Sequence, residues 1–265
     1  MEKLKIMGIL NVTPDSFSDG GQYNSVEASL RRVKEMVDDG VDIIDVGGYS
    51  TRPAGHSEIT IEEEIERVVP VIEAIKHIAP LISVDTFRSE VARAALDAGA
   101  HIINDQWRGT YDERILEVVK QYNVPIILMH NRTEMIPDDI DAMDEVIKDL
   151  KDSIDLCKKY NICDDLIWLD PGIGFKKTRA QELSIMRQLD RLVELGYKVL
   201  LATSRKRFVN TLLDRPYDAY DRDEQTMATT IYGLTKGVYG VRVHNVSMNR
   251  KAVDAYQTLV GEGDG

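Results

Sequence analysis

Asp85, Asn104 and Asp170 each close a short apolar run, and ionised carboxylates beside an amide offer several strong acceptors for ligand N–H groups. That set suits the donor-rich edge of a 2-amino-4-oxo heterocycle better than it suits a nucleophile or a hydrolytic acid/base pair. Other apolar runs end in Asn11, Asp105, His130, Ser204 with Lys206, and Arg242 with His244. Any one of these serves equally well as a helix cap or loop tie. The repetition at so many run ends is what points to one shared cavity. Asp45 and Asp105 are read as structural, because acidic residues at strand ends commonly bind backbone amides.

A second, basic set comprises Arg52, Arg205, Lys206, Arg207, Arg242 and His244. It reads as a phosphate or pyrophosphate pocket. Arg242 and His244 alternate along one run, so period two puts both on one face, with Val241, Val243 and Asn245 on the other. His130 is ambiguous, and His56, His77 and His101 look like loop or helix-flank residues. There is no HExxH pattern and no cysteine cluster, so a dedicated zinc site is not expected. Magnesium held by one protein oxygen, substrate phosphates and water stays open.

Two segments are unlike ordinary connectors. Residues 11–21, Asn-Val-Thr-Pro-Asp-Ser-Phe-Ser-Asp-Gly-Gly, combine turn-forming Pro14, Gly20 and Gly21 with small polar side chains and an aromatic, Phe17. Residues 47–55, Gly-Gly-Tyr-Ser-Thr-Arg-Pro-Ala-Gly, have the same character. Both are expected to act as loops ordering over a substrate.

These groups need a frame that brings many strand ends to one place. Eight apolar runs alternate with amphipathic stretches: 4–11, 41–48, 81–87, 101–107, 125–130, 166–172, 198–204 and 240–246. Such alternation is the mark of parallel βα units. Helical periodicity is clear over Val26–Asp38, Ile61–Ile78 and Met248–Val260. The expected fold is a single α/β domain over residues 1–265, a (β/α)8 TIM barrel of eight strands and eight helices with a fraying tail at 261–265. Its long irregular segments, 12–25, 47–60, 130–140 and 206–223, all follow strand ends, where a barrel builds its active site.

Composition narrows the classes. With 33 basic and 45 acidic side chains the net charge is -12, which excludes a broad nucleic-acid surface, so an anionic ligand must be held locally. The chain is 43% hydrophobic, yet no run approaches the roughly 18 apolar residues of a membrane span, and the first residues lack a signal peptide's cleavage site. A cytoplasmic location without membrane association is the expectation. Cys157 and Cys163 form neither a disulfide framework nor a zinc spacing and are expected to be partly buried thiols.

Several stretches together resemble the dihydropteroate synthase family. They are residues 11–21 and 47–53, Ser83-Val-Asp-Thr86, Ile103-Asn-Asp105, Asp170-Pro-Gly-Ile-Gly-Phe175, Ser204-Arg-Lys206 and Arg242-Val-His244, in the family's order. The resemblance implies condensation of 6-hydroxymethyl-7,8-dihydropterin diphosphate with 4-aminobenzoate, giving dihydropteroate and pyrophosphate. It also implies a Mg2+ cofactor contacted by Asn11 with the diphosphate. Asp85, Asn104, Asp170 and Lys206 would hold the pterin, with Phe175 lining its pocket. Arg242, His244 and Thr51 would bind the diphosphate, and Phe17, Asp19, Arg52 and Pro53 would build the 4-aminobenzoate site. Asp19, Arg52 and Lys206 are the residues assigned to catalysis. The resemblance also implies a homodimer, formed through late helices such as 227–236. Two positions depart from the pattern: Asn245 stands where many members carry Asp, and Tyr49 where many carry Glu. The competing readings are a methyltransferase-type pterin-binding barrel, which does not explain the first loop, and a non-catalytic pterin-binding module, against which Asn11, Arg52, Lys206 and Arg242 argue.

Overall fold

The computed structural model describes residues 3–12, 21–49, 59–210, 212–213 and 222–261, without the side chains of 21–25. Eight parallel strands, β1 (Lys5–Asn11), β2 (Ile43–Gly47), β3 (Ile82–Asp85), β4 (Ile102–Asp105), β5 (Ile126–Met129), β6 (Ile167–Asp170), β7 (Lys198–Leu201) and β8 (Gly240–Val243), close into a barrel in sequence order. Around it lie α1 (Gly21–Asp38), α2 (Ile61–Ile75), α3 (Ser89–Ala98), α4 (Arg114–Tyr122), α5 (Ala142–Lys159), α6 (Arg179–Arg187), α7 (Leu189–Val193), α8 (Arg207–Asn210), α9 (Asp223–Thr235) and α10 (Val246–Leu259). The expected barrel is therefore present, with ten rather than eight helices among the described residues. The connection from β6 breaks at Gln188 into α6 and α7, and the segment after β7, expected to be irregular, contains α8. The first long segment also ends earlier than expected, because α1 already begins at Gly21.

Local chemistry sets where the helices leave the strand ends. Thr60 and Thr178 form capping boxes with Glu63 and Gln181, and Asp141 accepts from the amides of Met143 and Asp144. Asn245 caps α10 by accepting from Met248 N, which starts that helix two residues before the apolar periodicity does. The main core lies between strands and helices, and a separate plug of Met7, Ile43, Ile102, Ile127, Trp168 and Leu200 fills the barrel's lower interior. Above it the inward positions turn polar. Register places Asp85 opposite Asn104, Asp45 opposite Ser83, and Asn11 opposite Gly47. Cys157 is buried, its thiol pushed up to about 12 by burial, whereas Cys163 is exposed, so the two thiols are not alike as expected.

One backbone position is tightly specified. Gly172 has φ +66°, and a Cβ there would lie 1.9 Å from the carbonyl oxygen of His130. Backbone cannot yield as a flexible side chain does, and left-handed φ adds roughly 1–2 kcal/mol for an L-residue. Gly172→Ala is expected to destabilise by about 2 kcal/mol or more, lowering the melting temperature by roughly 5 °C in a chain of this size. Calorimetry checks it, and an unchanged melting temperature would contradict this packing.

Candidate functional site

Three carboxylates converge from the ends of β2, β3 and β6. Asp45 is fully buried, and Asp85 and Asp170 are 7% and 2% exposed. Among the described residues, Arg242 from β8 forks between the first two, with Nε 2.6 Å from Asp45 Oδ2 and a terminal nitrogen 2.9 Å from Asp85 Oδ2. The same Asp45 oxygen accepts from Asn104 Nδ2 at 3.1 Å. That bond turns the amide so that Asn104 Oδ1 is the atom left for a ligand. Asp45, expected to bind backbone amides, instead holds two side chains of the cavity. Asp105 does bind backbone, accepting from the amides of Trp107 and Gly109, as expected.

Burial without full compensation raises Asp85 and Asp170. It pushes Asp85 up to about 7 although Arg242 opposes it, and it raises Asp170 against the pull of Lys206. Asp170 Oδ1 accepts the Gly172 amide at 2.7 Å, which fixes its rotamer at the mouth of β6. Lys206 donates to the carbonyl of Ile173 at 2.6 Å and lies 4.9 Å from the centroid of the Phe175 ring, with burial lowering its ammonium to about 8. Asp170, Phe175 and Lys206 thus form one unit beside the Asp85–Asn104 pair. Counted together, three carboxylates face two cations, so the assembly favours a ligand edge rich in N–H donors.

His244 follows Arg242 on the cavity side. Its backbone N–H donates to Ser204 Oγ at 3.0 Å, and that hydroxyl lies 2.9 Å from His244 Nδ1. Ser204 thus fixes the orientation of the imidazole through both the backbone and the ring of His244. Val241 and Val243 are buried in the layer under the helices, and Asn245 caps α10 while donating to Asp223, as its opposite parity requires. Arg205, expected in the anion pocket, makes a bidentate pair with Asp223 at 2.7 and 2.8 Å. Arg207 is exposed at the start of α8.

Asn11 ends β1 beside this assembly, its Oδ1 3.7 Å from where a Cβ on Gly47 would sit, next to Asp85. Among the described residues there is no group of three or more His, Cys, Asp or Glu able to hold a metal ion. One amide oxygen fits a hard cation that takes its other ligands from phosphates and water. Phe17, Asp19, Thr51, Arg52 and Pro53, with His56, lie outside the described residues.

Two participants escaped the sequence reading. Gln106 donates Nε2 to Asp85 Oδ1, and its period-two relation to Asn104 was the available signal. Lys177 anchors the segment after β6 from within the protein, and no parity or motif rule marks a long side chain that bends back under its own loop.

Residues 7–244 match the family model described as pterin binding enzyme. The dihydropteroate synthase of Staphylococcus haemolyticus is 52% identical over 259 residues, covering 98% of this chain and 96% of that protein. That of Bacillus subtilis is 46% identical over 263 residues, covering 99% and 90%. Among solved structures, the dihydropteroate synthase from Clostridium difficile in the presence of pteroic acid superposes with a TM-score of 0.92 at 41% identity, covering 97% of each chain. The Xanthomonas albilineans dihydropteroate synthase with 4-aminobenzoic acid gives 0.91 at 37%, covering 98% of this chain and 94% of that one.

Proposed function

The chain belongs to the dihydropteroate synthases of the pterin-binding enzyme family, and from that membership we propose how its cavity joins 6-hydroxymethyl-7,8-dihydropterin diphosphate to 4-aminobenzoate. The observation that carries the assignment of roles is the meeting of Asp85, Asn104 and Asp170 with Lys206 and Arg242 at one barrel mouth. The pterin's N–H edge is accepted by Asp85, Asn104 Oδ1 and Asp170, while Phe175 and Lys206 line one side of the ring. Arg242 and His244, with Thr51, receive the diphosphate. Phe17, Asp19, Arg52 and Pro53 are assigned to the 4-aminobenzoate subsite by their motif positions.

The substitution is dissociative. The C–O bond between the exocyclic methylene and the diphosphate breaks with its electron pair leaving on oxygen, and the electron-rich dihydropterin shares the positive charge left on carbon. Arg242 and Lys206 stabilise negative charge as it develops on the departing oxygen. The arylamine, unprotonated at neutral pH, then gives its lone pair to the methylene carbon, and the proton lost from nitrogen passes to water or pyrophosphate. No strong base is needed. Magnesium, held through Asn11 and the diphosphate, would supply further neutralisation of the leaving group. Asp19 and Arg52 would keep water from the methylene cation, which water would convert to the hydroxymethyl compound.

A cytoplasmic homodimer completes this reading, on the resemblance alone. None of the described helices is long and apolar enough to cross a membrane. The test is pyrophosphate release with the pterin diphosphate and magnesium, with and without 4-aminobenzoate, and the pterin product identified by mass. Dihydropteroate formed only with the amine is expected. Pterin binding without pyrophosphate release would favour a non-catalytic module.

A further inference from the structure

The segment between Asp170 and Phe175 rests on a buried group that no step above employs. Lys177 is 9% exposed, and its ammonium meets three acceptors: His130 Nδ1 at 2.9 Å, the Gly172 carbonyl at 2.9 Å and the Phe175 carbonyl at 3.0 Å. Three donors thus have three partners. His130 is fully buried, with Nε2 3.1 Å from Asp149 Oδ2. Because Nδ1 accepts from the ammonium, the imidazole is neutral and its hydrogen sits on Nε2, donated to Asp149. Burial agrees with that state, lowering His130 to about 4. The His130 hydrogen bond, and then Arg108 and Arg132 at 3.7 and 3.8 Å from the same Asp149 oxygen, keep that carboxylate charged at the far end of the chain.

From the cavity side, Lys206 takes the carbonyl of Ile173. The carbonyls of Gly172, Ile173 and Phe175 therefore all end on one of two lysines. The contacts of Lys177 bear directly on the ligand groups: the Gly172 whose carbonyl it holds gives its amide to Asp170, and the Phe175 whose carbonyl it holds carries the ring beside Lys206.

We propose that Lys177, held by the His130–Asp149 pair, is a positioning residue for the pterin subsite, setting the Asp170 carboxylate and the Phe175 ring through the Gly172 and Phe175 backbone. The role rests on the synthase reading given above. It does not depend on turnover, since it concerns how the pterin is held.

The experiment pairs calorimetric binding of the pterin diphosphate with steady-state kinetics for wild type, Lys177→Met, Lys177→Arg and Asp149→Asn, alongside melting temperatures. Methionine keeps the length and removes the charge and donors. Losing a charge-assisted anchor of this type is expected to weaken pterin binding about tenfold or more and to raise the pterin KM in parallel. The KM for 4-aminobenzoate should stay within about twofold, because that subsite is assigned to other loops. Lys177→Arg should recover part of the loss. If Lys177→Met does not fold, Asp149→Asn decides, with an expected pterin-selective loss of about threefold from weakening the far end of the chain. Unchanged pterin binding in Lys177→Met, or equal rises in both KM values, would overturn the proposal, as would an Asp149→Asn variant without selectivity. A wild type that binds pterin without forming dihydropteroate would sink the synthase reading while leaving the binding comparison to judge Lys177.

Discussion

Arg242→Ala is expected to cost the enzyme about three orders of magnitude in kcat/KM for the pterin diphosphate, together with a large loss of stability. The guanidinium joins two buried carboxylates through Nε and a terminal nitrogen, and its removal leaves Asp45 and Asp85 facing each other without a counterion. Removing one partner of a buried pair costs roughly 3–5 kcal/mol, because the remaining charge stays out of water. Protonating one acid relieves part of that cost, but a protonated Asp85 is a poorer acceptor for the pterin. The leaving diphosphate also loses a forked donor, which accounts for the fall in kcat beyond the rise in KM.

Two further variants separate these contributions. Arg242→Lys restores a charge but not the planar fork, so it should recover stability in part and rate hardly at all. Asp45→Asn combined with Arg242→Ala removes one of the stranded charges. It should regain stability over Arg242→Ala alone while remaining about as slow. A double variant as unstable as the single one would show that the loss is packing around the arginine stem rather than the carboxylates. A single variant with near-normal kcat/KM would remove Arg242 from the anion pocket.

The contrast between Asp45 and Lys177 shows where the sequence stops being legible. The barrel could be read because short apolar runs, buried on both faces, alternate with helical periodicity along the chain, and all eight strands lie within the runs the sequence marks. The strand-end acceptors followed from where those runs stop. Asp45 lies inside such a run, two residues before Gly47, but nothing in the sequence says that an arginine 197 positions away reaches across to it. The partner is set by barrel closure, which pairs β1 with β8 and brings Arg242 level with Met7. Arg205 has a partner of the same hidden kind: its neighbours Ser204 and Lys206 suggest an anion ligand, and its φ of +56° brings it to Asp223, 18 residues on. Lys177 is invisible for another reason: its role comes from its own loop folding back over it. Short-range patterning thus reports which face a residue occupies, and closure and loop path decide what it meets there.

The cavity should also work within a narrow pH range, with kcat/KM for the pterin diphosphate peaking at about pH 7 and falling on both sides, in base as Lys177 and Lys206, lowered to about 7 and about 8, lose their protons. Burial pushes Asp85 up to about 7, so acid removes an acceptor from the pterin edge, and it lowers Lys206 to about 8, so base removes a cation from the same subsite. The profile of kcat should be wider on the basic side, because bound diphosphate holds the Lys206 proton. Asp85→Asn should be slower by about a hundredfold at the optimum and lose the acid limb, while Lys206→Arg should keep only the part of the basic limb set by Lys177. A basic limb unchanged in Lys206→Arg but absent from Lys177→Met would move the whole assignment to Lys177, which burial lowers to about 7. Stability gives an independent check through the sign of linkage. A carboxyl raised from 3.8 to about 7 on folding contributes stability below pH 4, and that contribution is lost as pH rises through 7. His130, lowered from 6.5 to about 4, acts oppositely, contributing above pH 6.5 and losing its contribution as pH falls through 4. The two slopes oppose each other in the wild type between those limits. Asp85→Asn removes only the first, so its melting temperature relative to wild type should climb from pH 4.5 to pH 7.5. A difference that stayed flat over that range would mean that Arg242 keeps Asp85 ionised throughout, and the acid limb of activity would then belong to the substrate.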